Sequence, residues 1–348
     1  MRRAGRPRWL DGPFRRKRDL YDTPFAGHGA ISIFPARARP ARGAARAGWR
    51  RVGPPGVVRA GHSLLPWARH ADEPDPAVRP LAPADVPALR LPWHSRFSPA
   101  SLTAHLGQYP GAGWLAPASG EYLVAEPWRR RDEITAILEI QARRARGALL
   151  RAVVAACRAA GDRVLLLPDG EWASHAALYA AQGFVRLERV LYYQLSGMIG
   201  PPAVTRPLPP LEFAPLTAHN LATVIAVDHA AFPWLWWNAD SEFRVYRQQA
   251  GVQIWLGWTA GVPVAYAGFT VLERWGHLDR LAVAPAWHGR GYGAAMLAYV
   301  LGRMAALGVT RVTLSTQETN LSSQRLYRGF GFRPTAEAAD IYGRWLGE

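Results

Sequence analysis

A chain of 348 residues is long enough for two cores of ordinary size, and it has no apolar run long enough to cross a membrane. Its single cysteine, Cys157, excludes an intramolecular disulfide framework and any cysteine-cluster metal site, and suits a reducing cytoplasm. The formal charge is +16, but residues 1–80 hold 17 basic and 6 acidic side chains, which leaves +5 for the remainder. Lys17 is the only lysine, so the arginine bias reads as compositional and argues against nucleic-acid binding.

Residues 1–75 carry Arg, Pro and Gly clusters such as Arg15-Arg16-Lys17-Arg18, without hydrophobic periodicity. A disordered basic tail is expected there. It lacks the apolar core of a secretory signal, which keeps the expected location cytoplasmic. Order is expected to begin near Val78 with a short strand and an Asp85-capped helix. Strands follow at 121–127 and 132–142, joined by the polar turn Arg129-Arg130-Arg131. A helix at 148–160, a strand at 163–167, a helix at 174–182 and closing strands at 183–185 and 190–195 complete this half. Cys157 sits in the first of these helices and reads as a small buried residue.

The order then recurs. A strand at 211–216 and a helix at 218–231 lead into a meander at 252–259, 262–272 and 277–283. A glycine loop, a helix at 294–307, a strand at 311–316, a helix at 322–328 and closing segments around Phe332 and Ile341 follow. Leu178-Tyr179-Ala180-Ala181-Gln182-Gly183-Phe184 echoes Leu326-Tyr327-Arg328-Gly329-Phe330-Gly331-Phe332. Arg163-Val164-Leu165-Leu166 likewise echoes Arg311-Val312-Thr313-Leu314. The halves divide as 76–199 and 211–348, with the Gly/Pro-rich stretch 200–210 as linker.

The most informative stretch is 278–294. Alternation places Leu281 and Val283 on one strand face and Leu278, Arg280 and Ala282 on the other, and Pro285 ends the strand. Gly289, Gly291 and Gly293 follow, then a helix with Leu297, Leu301 and Met304 at helical spacing. Unpaired N–H groups at a helix start, glycines that admit close approach and the cation of Arg290 suit an anion site; the competing reading is a glycine-rich turn with no ligand.

This stretch, with Asn320 and the 326–332 segment, resembles the GNAT superfamily of acyl-CoA-dependent N-acyltransferases. The resemblance implies an α/β (α+β) fold of two tandem GNAT-like domains, each with a mixed, mostly antiparallel central sheet flanked by helices. It also implies that the loop His288, Gly289, Arg290, Gly291, Tyr292, Gly293 and Ala294 cradles the pyrophosphate of acetyl-CoA or another short acyl-CoA. Backbone groups of Leu281, Ala282 and Val283 would hold the pantetheine, with Asn320, Ser323 and Tyr327 beside it and its sulfur. One departure stands: the family usually has Gln or Arg where this chain has His288.

The N-terminal half departs more. Setting Arg163 over Arg311 places Arg143 and Ala145 under Gly291 and Gly293, and sliding the register recovers only Gly147. Tyr179 keeps the place of Tyr327, but Trp172 stands where Asn320 would. The resemblance therefore implies a degenerate first domain, structural or walling the substrate site.

Acyl transfer to an amine needs a held thioester, a base and a proton for the departing thiolate. His277 and Asp279, two residues apart on one strand face, are the candidate bases; the competing reading is a surface His and an ion-paired Asp. Tyr327 is the candidate proton donor, against a plain core tyrosine. Ser322 and Ser323 also read as helix caps. Phe232, Trp234, Trp236 and Trp237 are candidate acceptor-site aromatics, with packing favoured for at least two of the three tryptophans. The expected acceptor is a small-molecule amine or a peptide, with no membrane, no metal, and a monomer or homodimer as the assembly. The alternative is a non-catalytic acyl-CoA-binding or sensing protein.

Overall fold

A computed structural model describes residues 77–168, 172–202 and 206–347; the expected basic tail, 1–75, lies outside the described residues. The first half opens with β1 (Arg79–Pro80), a 3-10 turn (Pro83–Ala88), α1 (Pro99–Gln108), β2 (Gly113–Ala116) and β3 (Glu121–Pro127). A second 3-10 turn (Trp128–Arg130) leads to β4 (Ile134–Gln141), α2 (Arg146–Ala160), β5 (Val164–Pro168), α3 (Trp172–Ala181) and β6 (Val185–Ser196). The second half has β7 (Glu212–Pro215), α4 (Leu221–Ala231), a 3-10 turn (Trp234–Trp236), α5 (Asp240–Tyr246) and β8 (Val252–Thr259). It continues with β9 (Val262–Leu272), β10 (Trp275–Val283), α6 (Tyr292–Ala306), β11 (Arg311–Gln317), α7 (Leu321–Gly329) and β12 (Arg333–Trp345).

Local chemistry accounts for several boundaries. Ala260 and Gly261, both at positive φ, form the two-residue turn between β8 and β9, the twist that suits a hairpin. Helix α2 buries Leu149, Leu150, Val153, Val154 and Cys157 along one stripe and stops at Gly161 in the left-handed conformation. Burial pushes the Cys157 thiol up to about 12, which keeps it protonated and unreactive. Helix α6 starts at Tyr292, two residues before the expected Ala294, because Gly291 takes the left-handed N-cap position (φ 87°).

The described strands form one twelve-stranded sheet in the order β1-β2-β3-β4-β5-β12-β6-β11-β10-β9-β8-β7. Only β4–β5 and β10–β11 are parallel; every other pairing is antiparallel. The closing strands, expected inside their own halves, are exchanged. β6 of the first half pairs with β11 of the second, with Tyr193 opposite Leu314. β12 pairs with β5 of the first half, with Gly343 opposite Leu166. Gly343 is required by this approach, since a Cβ there would lie 2.3 Å from Leu187 Cδ1.

One core lies under α2 and α3, another under α6 and α7, and a third under α4 and α5. A further cluster joins the halves: Trp128, Ile134, Val164 and Val190 of the first pack with Trp236 and Ile341 of the second. Among the described residues, no helix is long and apolar enough to cross a membrane.

Candidate active site

β10 and β11 part like the arms of a V. Their pairing runs from Trp275–Arg311 to Leu278–Leu314 and stops there. β10 continues to Val283 against β9 alone, while β11 continues to Gln317 against β6. Backbone groups of β10 beyond Leu278 therefore face the gap without a strand partner on that side.

A bulge at Asp279 marks the parting point. It also corrects the expected alternation. Leu278 packs in the α6–α7 core with Leu281 and Val283, whereas Ala282 lies in the α4–α5 core and Arg280 reaches Asp228 of α4. One extra residue shifts the alternation by one, so Leu278 and Arg280 face opposite sides.

The glycine loop closes the mouth of the V. His288 Nε2 lies 2.7 Å from the Val283 carbonyl oxygen, and the Arg290 guanidinium sits 5.3 Å from the Trp287 ring centre. Gly289 and Gly291 both have positive φ. A Cβ on Gly293 would come to 3.4 Å from Leu326 and 3.6 Å from Val283, so the start of α6 packs tightly against α7 and the end of β10. No side chain caps α6 and its first turn carries no acid. The first amides of α6, beginning at Tyr292, Gly293 and Ala294, thus lack intrahelical partners and concentrate positive potential at the loop. These features fit the pyrophosphate of an acyl-CoA.

The N-terminal half has the same V. β4 pairs with β5 only from Ile134 to Ala136, and a register shift leaves Leu138 bulged. Its cradle is different. Residues 142–145 alone join β4 to α2, against 284–291 between β10 and α6. Aligning the two helix starts puts Ala145 in the place of Gly291 and Gly147 in that of Gly293, in place of the expected Arg143 and Ala145. The Glu121 carboxylate accepts the amides of Arg143, Arg144 and Ala145 at 3.0, 3.2 and 2.6 Å. Arg146 donates to the Tyr179 hydroxyl at 2.9 Å and to the Ala142 carbonyl at 2.6 Å. The Glu121 carboxylate thus occupies the loop ahead of α2, while the amides that open α2 have no side-chain cap, as in α6.

Tyr327 lies on α7, 5% exposed, between the rings of Tyr193 and Phe332. Burial pushes its hydroxyl up to about 12, opposed by a hydrogen bond with Ser323. The amide of Phe332 donates to the Tyr327 carbonyl at 3.1 Å, and that of Phe184 to the Tyr179 carbonyl at 3.0 Å, so the sequence echo is also an echo of helix ends. The cap of α7 is Asn320, correcting the expectation for Ser322 and Ser323. Its Oδ1 accepts the Ser323 amide at 3.1 Å and the Ser322 hydroxyl at 3.0 Å.

His277 and Asp279 meet, with Nε2 and Oδ1 4.0 Å apart. His277 Nδ1 lies 2.8 Å from Thr313 Oγ1. Asp279 Oδ2 accepts the hydroxyls of Tyr246 and Thr270, at 2.5 and 2.8 Å. Burial raises the Asp279 carboxyl above its ordinary value, with His277 opposing. Arg280 is engaged elsewhere: its guanidinium bonds Asp228 Oδ1 at 2.6 Å, Tyr266 at 2.8 Å and the Trp236 carbonyl at 2.9 Å.

That network went unseen in the sequence, although Asp228 in a largely apolar helix and Arg280 in an alternating strand were its signals. It extends across the halves. Asn238 Oδ1 accepts Arg280 at 3.4 Å and Arg129 of the first half at 2.7 Å. The candidate acceptor aromatics cluster around it. The Phe232 ring lies 4.0 Å from the Arg280 guanidinium, and buried Trp236 packs edge-on against Trp128. Trp234 sits between Arg131 and Arg163, at 4.5 and 4.3 Å, and Trp237 stacks on His229. Phe232, Trp234 and Trp236 thus pack against the other half or its network, and Trp237 also meets Arg131 at 5.7 Å.

The sequence of residues 223–332 matches the model of the acetyltransferase (GNAT) family, a span that begins in α4 and holds the V, the glycine loop and Tyr327. This segment is a GNAT domain. No curated protein matches the sequence. Solved structures extend the likeness beyond the GNAT domain. A GCN5-related N-acetyltransferase from Sphaerobacter thermophilus superimposes with a TM-score of 0.54 at 17% identity, over 79% of this chain and 97% of that one. A tandem GNAT protein from the clavulanic acid biosynthesis pathway gives 0.50 at 17% identity, over 78% and 99%. At these identities the likeness concerns the fold, which is that of a tandem GNAT protein.

Proposed function

We propose that the protein is an acyl-CoA-dependent N-acyltransferase with one working site, in the C-terminal half. It transfers an acetyl group from acetyl-CoA to a primary amine of a small molecule or peptide by direct attack. The contrast between the two loops carries this reading: the loop before α6, 284–291, is glycine-rich, whereas the Glu121 carboxylate occupies the amides of the shorter loop, 142–145, before α2.

In this reading the amides from Gly291 to Ala294, with Gly289, Arg290 and His288, hold the pyrophosphate. The unpartnered edge formed by Leu281, Ala282 and Val283 holds the pantetheine and aims a backbone N–H at the thioester oxygen, an oxyanion-type contact. Asn320 and Ser323 line the other arm of the V. When bound, acyl-CoA supplies an activated carbonyl and a thiolate leaving group.

His277 is the general base. With Nδ1 protonated toward Thr313, its Nε2, on the side of Asp279, takes a proton from the acceptor ammonium. Asp279, held by two hydroxyls, steadies the imidazolium that results. Tyr327 donates to the departing thiolate. Its raised pKa keeps it protonated at neutral pH, as a donor must be. A cytoplasmic location, a monomer or homodimer, and no nucleic-acid partner complete the reading.

Tyr327→Phe tests it. Acetyl-CoA binding, followed by calorimetry, should survive, while turnover with a responsive amine falls about 10²–10³-fold. Unchanged turnover would remove Tyr327 from the mechanism. Intact binding without turnover across an amine panel would favour a sensor.

A further inference from the structure

Helix α5 meets the sheet where a strand residue has no side chain. A Cβ on Gly268 of β9 would lie 2.8 Å from Tyr246 Oη and 2.9 Å from its Cε1, so the Tyr246 ring occupies the space that a side chain there would need. Gly268 stands opposite Arg280, directly after the bulge that leaves Asp279 unpaired across the ladder. The Tyr246 hydroxyl reaches Asp279 Oδ2 at 2.5 Å. Thr270, the cross-strand partner of His277, donates to the same oxygen at 2.8 Å. The other oxygen, Oδ1, is the one that lies 4.0 Å from His277 Nε2. Two neutral donors from α5 and β9 thus hold one end of the carboxylate and leave the other toward the imidazole.

The start of α5 is fastened to the first half. The Ala239 amide donates to the Arg129 carbonyl at 3.3 Å, and Glu242 lies 3.5 Å from Arg130 Nε. Glu242 and Tyr246 are one turn apart and share a helix face, so α5 presents the Tyr246 hydroxyl from a fixed position. Burial, and then the Asp279 charge, holds that hydroxyl well above its ordinary value, which keeps it a donor at neutral pH. Arg280 of β10 and Tyr266 of β9 also face the Tyr246–Asp279 contact, and Arg280 is itself paired with Asp228 of α4.

We propose that Tyr246 and Thr270 are positioning residues for the His277–Asp279 pair: they hold the Asp279 carboxylate where it steadies the imidazolium. This role presupposes His277 as the base. A donor helps the carboxylate most while the imidazole is neutral, so losing one makes the pair bind the next proton more tightly. Tyr246→Phe removes the donor and keeps the ring over Gly268.

The test is an NMR titration of the histidine ring signals in the full chain without substrate, with His277 identified by its loss in His277→Gln. In Tyr246→Phe the His277 titration should move up by about 0.5–1 pH. Thr270→Val keeps the branched shape in β9 and should move it the same way, which serves if Tyr246→Phe does not fold. With acetyl-CoA and a responsive amine, the acidic limb of kcat/KM should follow, so that turnover below the limb falls about 3–10-fold while acetyl-CoA binding is unchanged. A His277 titration unmoved or lowered in a folded variant would overturn the proposal. A raised titration with an unmoved limb would uphold the positioning of Asp279 and remove His277 as the base.

Discussion

Asp228 is fully buried and its two oxygens are committed, Oδ1 to Arg280 and Tyr266 and Oδ2 to the amide of Asn238. Asp228→Ala would strand the buried Arg280 charge, and urea unfolding should show a loss of about 3–5 kcal/mol. Glu126 gives a pH signature. Burial raises its carboxyl to about 7; Arg96 opposes this and the like charge of Glu242 adds to it. An unfolded Glu titrates near ~4.3. Between these values the folded chain holds a proton that the unfolded chain has released, so this residue's contribution makes stability fall as pH rises through that window. Glu126→Gln should remove the slope. Relative to the parent chain, its unfolding free energy should rise by about 2–3 kcal/mol between pH 5 and pH 8, measured by denaturant titration.

Helices α2 and α6 are the most instructive pair of elements. They have equal length, the same position after a parting strand and no side-chain cap, yet the loops that lead into them differ. Three charge-assisted hydrogen bonds from Glu121 hold the 143–145 turn, so Glu121→Ala should lower stability by about 1–3 kcal/mol in thermal or urea unfolding. How much was legible in the sequence follows the same elements. β3, β8 and β9 lie where alternation and turn residues placed them, and the strand–glycine–helix order around Gly291 carried the family resemblance. Helices α1 and α5 were missed. The first hides in a Pro- and Trp-rich stretch despite the Ser98 cap and Pro99 start, and the second is only seven residues long. The Arg280 network was illegible because its partners lie 52 and 42 residues away, with Arg129 a further 109 from Asn238.

At the scale of the molecule, the strand exchange decides what can fold alone. Sequence order shows that β6 and β12 close their halves, but not which neighbour each one pairs with. Because β6 lies against β11 and β12 against β5, residues 206–348 alone would leave β11 with a bare edge and β12 without a partner. Expressed separately, this fragment should aggregate or lack a cooperative melt by circular dichroism, and co-expression with residues 77–202 should restore one. The exchange also ties Arg129 and the tryptophans to the network behind β10, giving the first half a structural reason to persist without a cradle of its own. The reading of one filled and one open cradle meets its most direct test in a calorimetric titration of acetyl-CoA into the full chain. One site per chain, abolished by replacing Gly291 with a bulky residue, is the predicted result. Two sites, no binding, or a single site indifferent to Gly291 would contradict it.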